Sequence, residues 1–154
     1  MYRYTQENSK AGRRSSFADT GLACHLLGIE TIDQLIKDPL YGNLFENWII
    51  TELMKARYNQ ALDLLFYFFR DVTGREGDLL LQQGSRLLPI EIKSSKTFSP
   101  AFLEALKYFH QQTGKKALGG AVIYGGDQTQ RLGEYTLYNP ENCSQLISDK
   151  FSTS

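Results

Sequence analysis

The order of helical and strand patterns in this sequence predicts an α/β domain with a mixed central β-sheet flanked by helices. After residue 43 the patterns indicate one helix, three strands, a second helix and two more strands. The second helix lies between the strands expected at 87–94 and 118–124, so these two strands should pair in parallel. A chain of 154 residues is long enough for one hydrophobic core, and one domain is expected.

The first forty residues indicate a helical extension that follows a loose arm. Residues 1–16 are polar and contain Gly, Ser and Arg, a composition typical of a flexible segment. The next pattern predicts a short helix, capped by Asp19 or Thr20 and ended by Gly28. A second short helix is expected over Thr31–Lys37.

The middle of the chain predicts a long amphipathic helix followed by three strands. Apolar residues at helical spacing, Trp48 among them, run from Leu44 to Tyr58, and Asn43 is the expected N-cap. The Gly-containing link 83–86 joins the last two strands and predicts a hairpin. The strands and the turn between the first two are expected at Leu64–Asp71, Thr73-Gly74, Glu76–Gln82 and Leu87–Ser94.

The last third predicts one more helix and two more strands. Ser99 and Pro100 are a favourable helix start, as N-cap and first helical residue, and Gly114 is a favourable end. Strands are then expected at 118–124 and 132–138. These residues complete the predicted sheet.

These patterns divide the chain into an arm, one domain and a tail. The domain spans 17–138, and the tail is expected to fray because it is polar, although Leu146 and Ile147 could dock on the core. The expected divisions are an arm at 1–16, a helical lead-in at 17–41, a core at 42–138 and a tail at 139–154.

Composition and motifs exclude several classes of function. The 17 basic and 17 acidic residues cancel, which argues against binding a polyanion by bulk charge alone. No run approaches the roughly 18 apolar residues of a membrane span, and the first twenty residues lack a secretory signal. No GxxxxGK[ST] occurs, so no ATP site is expected on this chain. Cys24 and Cys143 are expected as reduced thiols, with a single disulfide as the alternative.

One cluster of charged residues points to chemistry. Glu91 and Lys93 alternate with Ile90 and Ile92 on a predicted strand, so the two charged side chains share one face. Asp78 lies on the preceding strand, and a hairpin would bring it to the same face. Two carboxylates suit a divalent cation such as Mg²⁺ or Mn²⁺, which polarises a phosphate and lowers the pKa of bound water. A nearby ammonium stabilises developing negative charge.

A third carboxylate from the long helix would complete such a metal site. Glu46 can face the sheet and is the candidate, while Glu52 lies closer to the centre of the apolar stripe and is the alternative. A Glu-x-Lys pair on a strand, taken by itself, usually marks the face of the strand that is exposed to solvent. Carboxylates placed within apolar patterns, however, require a partner or a metal.

The order of these residues resembles the PD-(D/E)XK nuclease-like superfamily, which includes restriction enzymes and Holliday-junction resolvases. That superfamily carries a helix Glu, a strand Asp and a Glu-x-Lys on the next strand, matching Glu46, Asp78, Glu91 and Lys93. The resemblance implies a restriction-endonuclease-like core, metal binding by the carboxylates and a charge-stabilising lysine.

Several longer motifs extend over most of the chain, at Phe17–Leu22, Gly42–Asn47, Glu52-Leu53, Phe69–Asp71, Gly77-Asp78, Pro89–Ser95 and Gly119–Gly126. Together they are similar to one module, the C-terminal domain of unknown function 4143 of prokaryotic AAA-type ATPases. The resemblance implies a prokaryotic, cytoplasmic protein and an ATPase module in cis. Gly77 departs from the apolar residue usual before the strand Asp.

Two hypotheses for the function follow. The first is a metal-dependent nuclease that hydrolyses DNA; the second is a non-catalytic regulatory domain that binds a partner or nucleic acid and keeps the nuclease fold. The intact acid–acid–lysine set favours the first, and the zero net charge favours the second. In the first, DNA phosphates would contact Ser94, Ser95, Lys96, Lys115 and Lys116.

Overall fold

The protein is built on a mixed seven-stranded sheet within the residues that the computed structural model describes, 3–6, 20–70 and 76–151. The strands are β1 (Arg3–Gln6), β2 (Leu65–Arg70), β3 (Glu76–Gln83), β4 (Arg86–Lys93), β5 (Gly120–Tyr124), β6 (Gln130–Leu132) and β7 (Tyr135–Tyr138). Their order across the sheet is β1-β2-β3-β4-β5-β7-β6. The α/β class with a mixed sheet is therefore confirmed.

Five α-helices and three short 3₁₀ turns accompany the sheet in the same residues. The helices are α1 (Thr20–Leu26), α2 (Ile32–Lys37), α3 (Tyr41–Asn59), α4 (Glu104–Thr113) and α5 (Gln145–Phe151). Thr31 caps α2, where its hydroxyl accepts from Gln34 N while the Gln34 side chain accepts from Thr31 N. The 3₁₀ turns are Pro100–Leu103, Gly114–Lys116 and Pro140–Asn142.

The strand β4 joins an antiparallel half of the sheet to a parallel half. The strands from β1 to β4 pair in sequence order and antiparallel, and the hairpin of β3 and β4 was predicted. On its other side β4 pairs with β5 in parallel, with Ile90 opposite Ala121, as the helical connection predicts. β7 continues the parallel half, and β6 closes it as an antiparallel edge.

Helices cover both faces of this sheet. On one face α3 and α5 pack on alternate residues of β4, so that Ile49, Ile90 and Ile147 lie in one buried cluster. On the other face α4 places Leu106 and Phe109 over the sheet. Since alternate strand residues point to opposite faces, Glu91 and Lys93 lie on the side of β4 away from Ile90.

The structure extends α3 toward its N-terminus beyond the predicted start. Asp38 Oδ1 accepts a hydrogen bond from Leu40 N at 2.8 Å, and Leu44 N donates to Leu40 O at 2.9 Å. The helix therefore begins at Tyr41, and Asn43 lies within its first turn instead of capping it. The prediction missed this because an aspartate turn, not the Gly42-Asn43 pair, starts the helix.

Two segments expected to be loose carry regular structure. Within the predicted arm 1–16, β1 pairs with β2 at the edge of the sheet. The tail after Asn139 forms α5, whose Leu146, Ile147 and Phe151 are fully buried. The predicted docking of Leu146 and Ile147 on the core is thus confirmed, and the prediction that the tail frays is wrong for residues 145–151.

Three further predictions have different outcomes: the first is wrong, the second lies partly outside the described residues, and the third is confirmed. The single strand expected at 132–138 is instead β6 and β7, separated by a turn in which Gly133 has a φ of 63°. Helix α1 includes Thr20, while Asp19 as its cap and the Thr73-Gly74 turn lie outside the described residues. Cys24 and Cys143 are free thiols.

No helix within the described ranges, 20–70 and 76–151, is both long enough and apolar enough to cross a bilayer.

The burial of α5 predicts that the C-terminal segment stabilises the domain. Leu146→Ala should lower the free energy of unfolding by about 2–5 kcal/mol, because it leaves a cavity in the core. Ser148→Ala, an exposed position on the same helix, is the control and should change it by less than about 0.5 kcal/mol. Urea unfolding of both variants measures the difference, and equal stabilities would show that α5 is not part of the cooperative unit.

Candidate functional site

The candidate site lies where β3 and β4 stop pairing. Their pairing runs from Gln83 opposite Arg86 to Leu79 opposite Ile90. One step further, Asp78 Oδ2 accepts a hydrogen bond from Ile92 N at 2.7 Å. In a regular ladder a backbone carbonyl would accept that bond. A carboxylate therefore replaces the β3 backbone at the point where the two strands separate.

Lys93 links the two carboxylates of this site. Its Nζ lies 2.5 Å from Glu91 Oε1 and 3.4 Å from Asp78 Oδ2. The side chain of Lys93 is 37% exposed, whereas those of Asp78 and Glu91 are 13% and 9% exposed. The predicted convergence of these three side chains is what the structure shows, with the ammonium on the solvent side.

The electrostatics of Glu91 are unusual. Its pKa rises from 4.5 to about 7, first because burial disfavours the charged form and then because the charges of Asp78 and Glu46 repel it. Lys93 opposes this rise through its hydrogen bond and its charge. Glu91 Oε2 is also buried without a hydrogen-bond partner. A carboxylate in this environment can be protonated near neutral pH.

The pKa of Lys93 moves upward from its ordinary value. Burial acts to lower it, but the charges of Asp78 and Glu91 and their hydrogen bonds outweigh that effect. Lys93 is therefore an ammonium throughout the physiological range. It provides the positive charge beside the two carboxylates.

The two helix carboxylates considered for the site occupy different surroundings. The charge of Glu46 acts on Glu91, so Glu46 is within electrostatic reach of the cluster. Glu52 instead forms an ion pair with Lys55 at 2.8 Å, and its charge acts on Cys143, whose pKa rises to about 11 mainly through burial. The structure thus associates Glu46, and not Glu52, with Glu91.

The residues predicted to contact phosphates divide into two groups. Ser94, Ser95 and Lys96 directly follow β4 and lie beside the cluster. Lys115 and Lys116 precede β5, next to Leu118, whose N–H donates to Leu87 O at the start of β4. Six residues of strand span about 20 Å. The two lysines therefore lie at the opposite end of the sheet from Lys93 and form no single site with it.

An open groove beside the cluster was not predicted. It has a volume of about 570 Å³. It is lined by Trp48, Lys96, Gly125, Gly126, Asp127, Asn139, Pro140 and Glu141. Trp48 was assigned to the apolar stripe of the helix, yet it is 37% exposed. The remaining residues follow the carboxyl ends of β4, β5 and β7, which only the topology brings together.

The donor chemistry of the cluster suits a hard divalent cation in one respect. Glu91 Oε2 is a buried carboxylate oxygen that lacks a hydrogen-bond partner, and Asp78 adds a second carboxylate 3.4 Å from Lys93 Nζ. Among the described residues, however, no group of three or more Asp, Glu, His or Cys side chains is arranged to hold a metal ion. Lys93 provides the positive charge between the carboxylates.

The sequence was then compared with known families. A family model described as a domain of unknown function, DUF4143, matches residues 41–142. The chain belongs to the DUF4143 family. The match runs from the start of α3 past the end of β7 and includes all four residues of the predicted site. No curated protein is detectably similar to this DUF4143 chain.

The raised pKa of Glu91 predicts how stability depends on pH. The folded protein holds the Glu91 proton up to about pH 7, and the unfolded chain releases it near pH 4.5. The stabilisation of the folded state by protonated Glu91 is therefore complete below pH 4.5 and is lost as the pH rises through 7. Between pH 4.5 and pH 8.5, the free energy of unfolding of wild type should fall by about 1–3 kcal/mol more than that of Glu91→Gln. Urea unfolding from pH 4.5 to 8.5 measures it, and parallel curves would contradict it.

Gly125 lies so close to the chain that leaves β4 that we expect a larger residue at this position to destabilise the protein. A Cβ on Gly125 would lie 2.4 Å from Ser94 O, so Gly125→Ala should destabilise the protein by about 1–3 kcal/mol. Gly42→Ala is the matched control, because its Cβ would lie 3.8 Å from Ser94 Oγ and alanine favours the helix. Thermal unfolding of both variants provides the comparison. Equal melting temperatures would show that the two segments are not tightly packed.

Proposed function

We propose that this DUF4143 domain is a divalent-cation-dependent nuclease of the PD-(D/E)XK type that hydrolyses phosphodiester bonds of DNA. One observation carries the proposal: Asp78, Glu91 and Lys93 converge where β3 and β4 separate, and each carboxylate has an oxygen within 3.4 Å of Lys93 Nζ. The charge of Glu46 reaches the same place. These are the four residues that the superfamily motif requires.

The order of elements supports the same proposal. A helix, three antiparallel strands, a second helix and a parallel strand follow one another as α3, β2, β3, β4, α4 and β5. This is the order that a restriction-endonuclease-like core implies. The carboxylates lie on the two strands and the helix on which that core carries them.

Each residue of the cluster has a proposed role. Asp78 and Glu91 would hold Mg²⁺ or Mn²⁺, and Glu46, which lies within electrostatic reach of Glu91, would move toward the bound cation as the third ligand. The cation would supply polarisation of the phosphate and a bound water of lowered pKa. Lys93 carries a permanent charge on the exposed side of the cluster, where it can turn from the carboxylates to a phosphate oxygen. Glu91, whose pKa is about 7 in the absence of a cation, would bind the cation as the ionised carboxylate.

A second candidate function is a non-catalytic domain that binds a partner or nucleic acid. The observation that favours it is that Lys93 already forms direct ion pairs with both carboxylates. A closed set of this kind can serve the fold alone. The resemblance to AAA-type ATPase domains suggests an ATPase module in cis, in a prokaryotic cytoplasm, as the partner.

Cation binding distinguishes the two functions. Calorimetry with Mg²⁺ or Mn²⁺ should detect binding to wild type, and Asp78→Asn or Glu91→Gln should weaken it at least about 10-fold, since each replaces a charged carboxylate ligand by a neutral amide. Glu52→Gln is the matched control and should bind as wild type does. If wild type binds neither cation at millimolar concentration, the nuclease proposal is wrong and the non-catalytic function stands.

Lys93 gives a separate prediction, because it competes with a cation for the carboxylates. Lys93→Met should preserve or strengthen Mn²⁺ binding and, at the same time, slow DNA cleavage about 10²–10³-fold. Both are measured on the same preparation, by calorimetry and by gel assay of single-stranded, duplex and branched DNA. If Lys93→Met cleaves as fast as wild type, Lys93 has no catalytic role.

A further inference from the structure

The groove beside the cluster has rigid walls. Gly125 N donates to Lys93 O and to Ser95 O, each at 2.9 Å, and holds the end of β5 against the chain that leaves β4. Asn139 joins two other loops, as its Nδ2 donates to Asp127 O at 3.1 Å and its Oδ1 accepts from Asn142 N at 2.8 Å. The groove is therefore formed before any ligand arrives.

The exposed groups of the groove combine one aromatic ring with charges of both signs. Trp48 packs edge-on against Phe45 at 5.8 Å between ring centroids and leaves 37% of its surface exposed. Lys96, Asp127 and Glu141 are exposed around it. An indole ring stacks on flat heterocycles, and carboxylates accept hydrogen bonds from amino groups.

The groove and the cluster are adjacent. Lys96 is three residues beyond Lys93, so their Cα atoms are at most about 11 Å apart. The hydrogen bond from Gly125 N to Lys93 O joins the wall of the groove to the strand of the cluster. A strand of nucleic acid whose phosphate lies at the cluster can therefore place a neighbouring nucleotide in the groove.

We propose that this groove binds an unpaired nucleobase that carries an exocyclic amino group. The base stacks on Trp48, its amino group donates to Asp127 or Glu141, and the linked phosphate lies by Lys96. This inference rests on the proposed nuclease function and adds a substrate class to it, DNA with a single-stranded segment. A phosphate alone is a poor occupant, because two carboxylates at the rim repel it.

The single tryptophan of the chain makes this binding directly measurable. Because Trp48 is the one tryptophan, its fluorescence reports the groove alone. With EDTA present, a (dC)₆ oligonucleotide should quench Trp48 fluorescence with a Kd at least about 5-fold lower than (dT)₆, since thymine has no amino group. The combined variant Asp127→Ala with Glu141→Ala should abolish this preference, because neither position then offers a hydrogen-bond acceptor to the amino group.

Lysine variants test the place of the phosphate. Lys96→Ala should weaken (dC)₆ and (dT)₆ equally, by about 3-fold or more, because a phosphate contact has no base preference. Lys115→Ala, an exposed lysine at the other end of the sheet, is the matched control and should bind as wild type does. Equal effects of both lysine variants would overturn the assignment of the groove.

Other outcomes overturn one proposal without the other. No quenching by either oligonucleotide, equal Kd values for both, or stronger quenching by an arginine-rich peptide than by (dC)₆ would overturn the nucleobase site. Cation binding without selective quenching leaves the nuclease proposal standing and removes the groove. Selective quenching without cation binding supports the groove as a nucleic-acid site and removes the nuclease proposal.

Discussion

The ammonium of Lys93 allows Glu91 to be buried beside Asp78 in the middle of the sheet. Two neighbouring carboxylates with little exposure to water would repel each other and lose the hydration that stabilises their charges. Lys93 Nζ contacts both carboxylates. Asp78 also accepts a hydrogen bond from Ile92 N, which a backbone carbonyl of β3 would accept if the two strands still paired at this point. The compensation is incomplete, since the pKa of Glu91 still rises to about 7. The burial of the two carboxylates at the end of β4 depends on this one charge.

Most of the fold could be predicted because its central elements have clear periodicity. The hairpin of β3 and β4 and the parallel pairing of β4 with β5 follow from strand patterns, a short Gly-containing link and a helical connection. Two elements gave no such signal. β1 is a short polar strand defined by pairing with β2 at the sheet edge. The short helix α5 lies in a polar tail and has no Gly or Pro after it to mark its end, unlike the similarly short α1 and α2.

The candidate site was predictable in its strand residues and less so elsewhere. Alternation along β4 places Glu91 and Lys93 together, and the hairpin adds Asp78. The choice between Glu46 and Glu52 required coordinates, because both lie near the apolar face of one helix. The groove escaped prediction for a different reason: Trp48, Lys96, Asp127 and Glu141 are far apart in sequence, and only the common end of three parallel strands brings them together.

The position of the cluster within a single hairpin has a consequence for how the protein folds. Asp78 and Lys93 are fifteen residues apart, so their contact closes a short loop of chain. The groove instead requires contacts between residues as distant as Trp48 and Glu141. Local contacts form faster than distant ones, so the acid–lysine cluster should assemble early in folding and the groove late. In that order of events, Lys93 would already pair with the two carboxylates before the parallel half of the sheet is added.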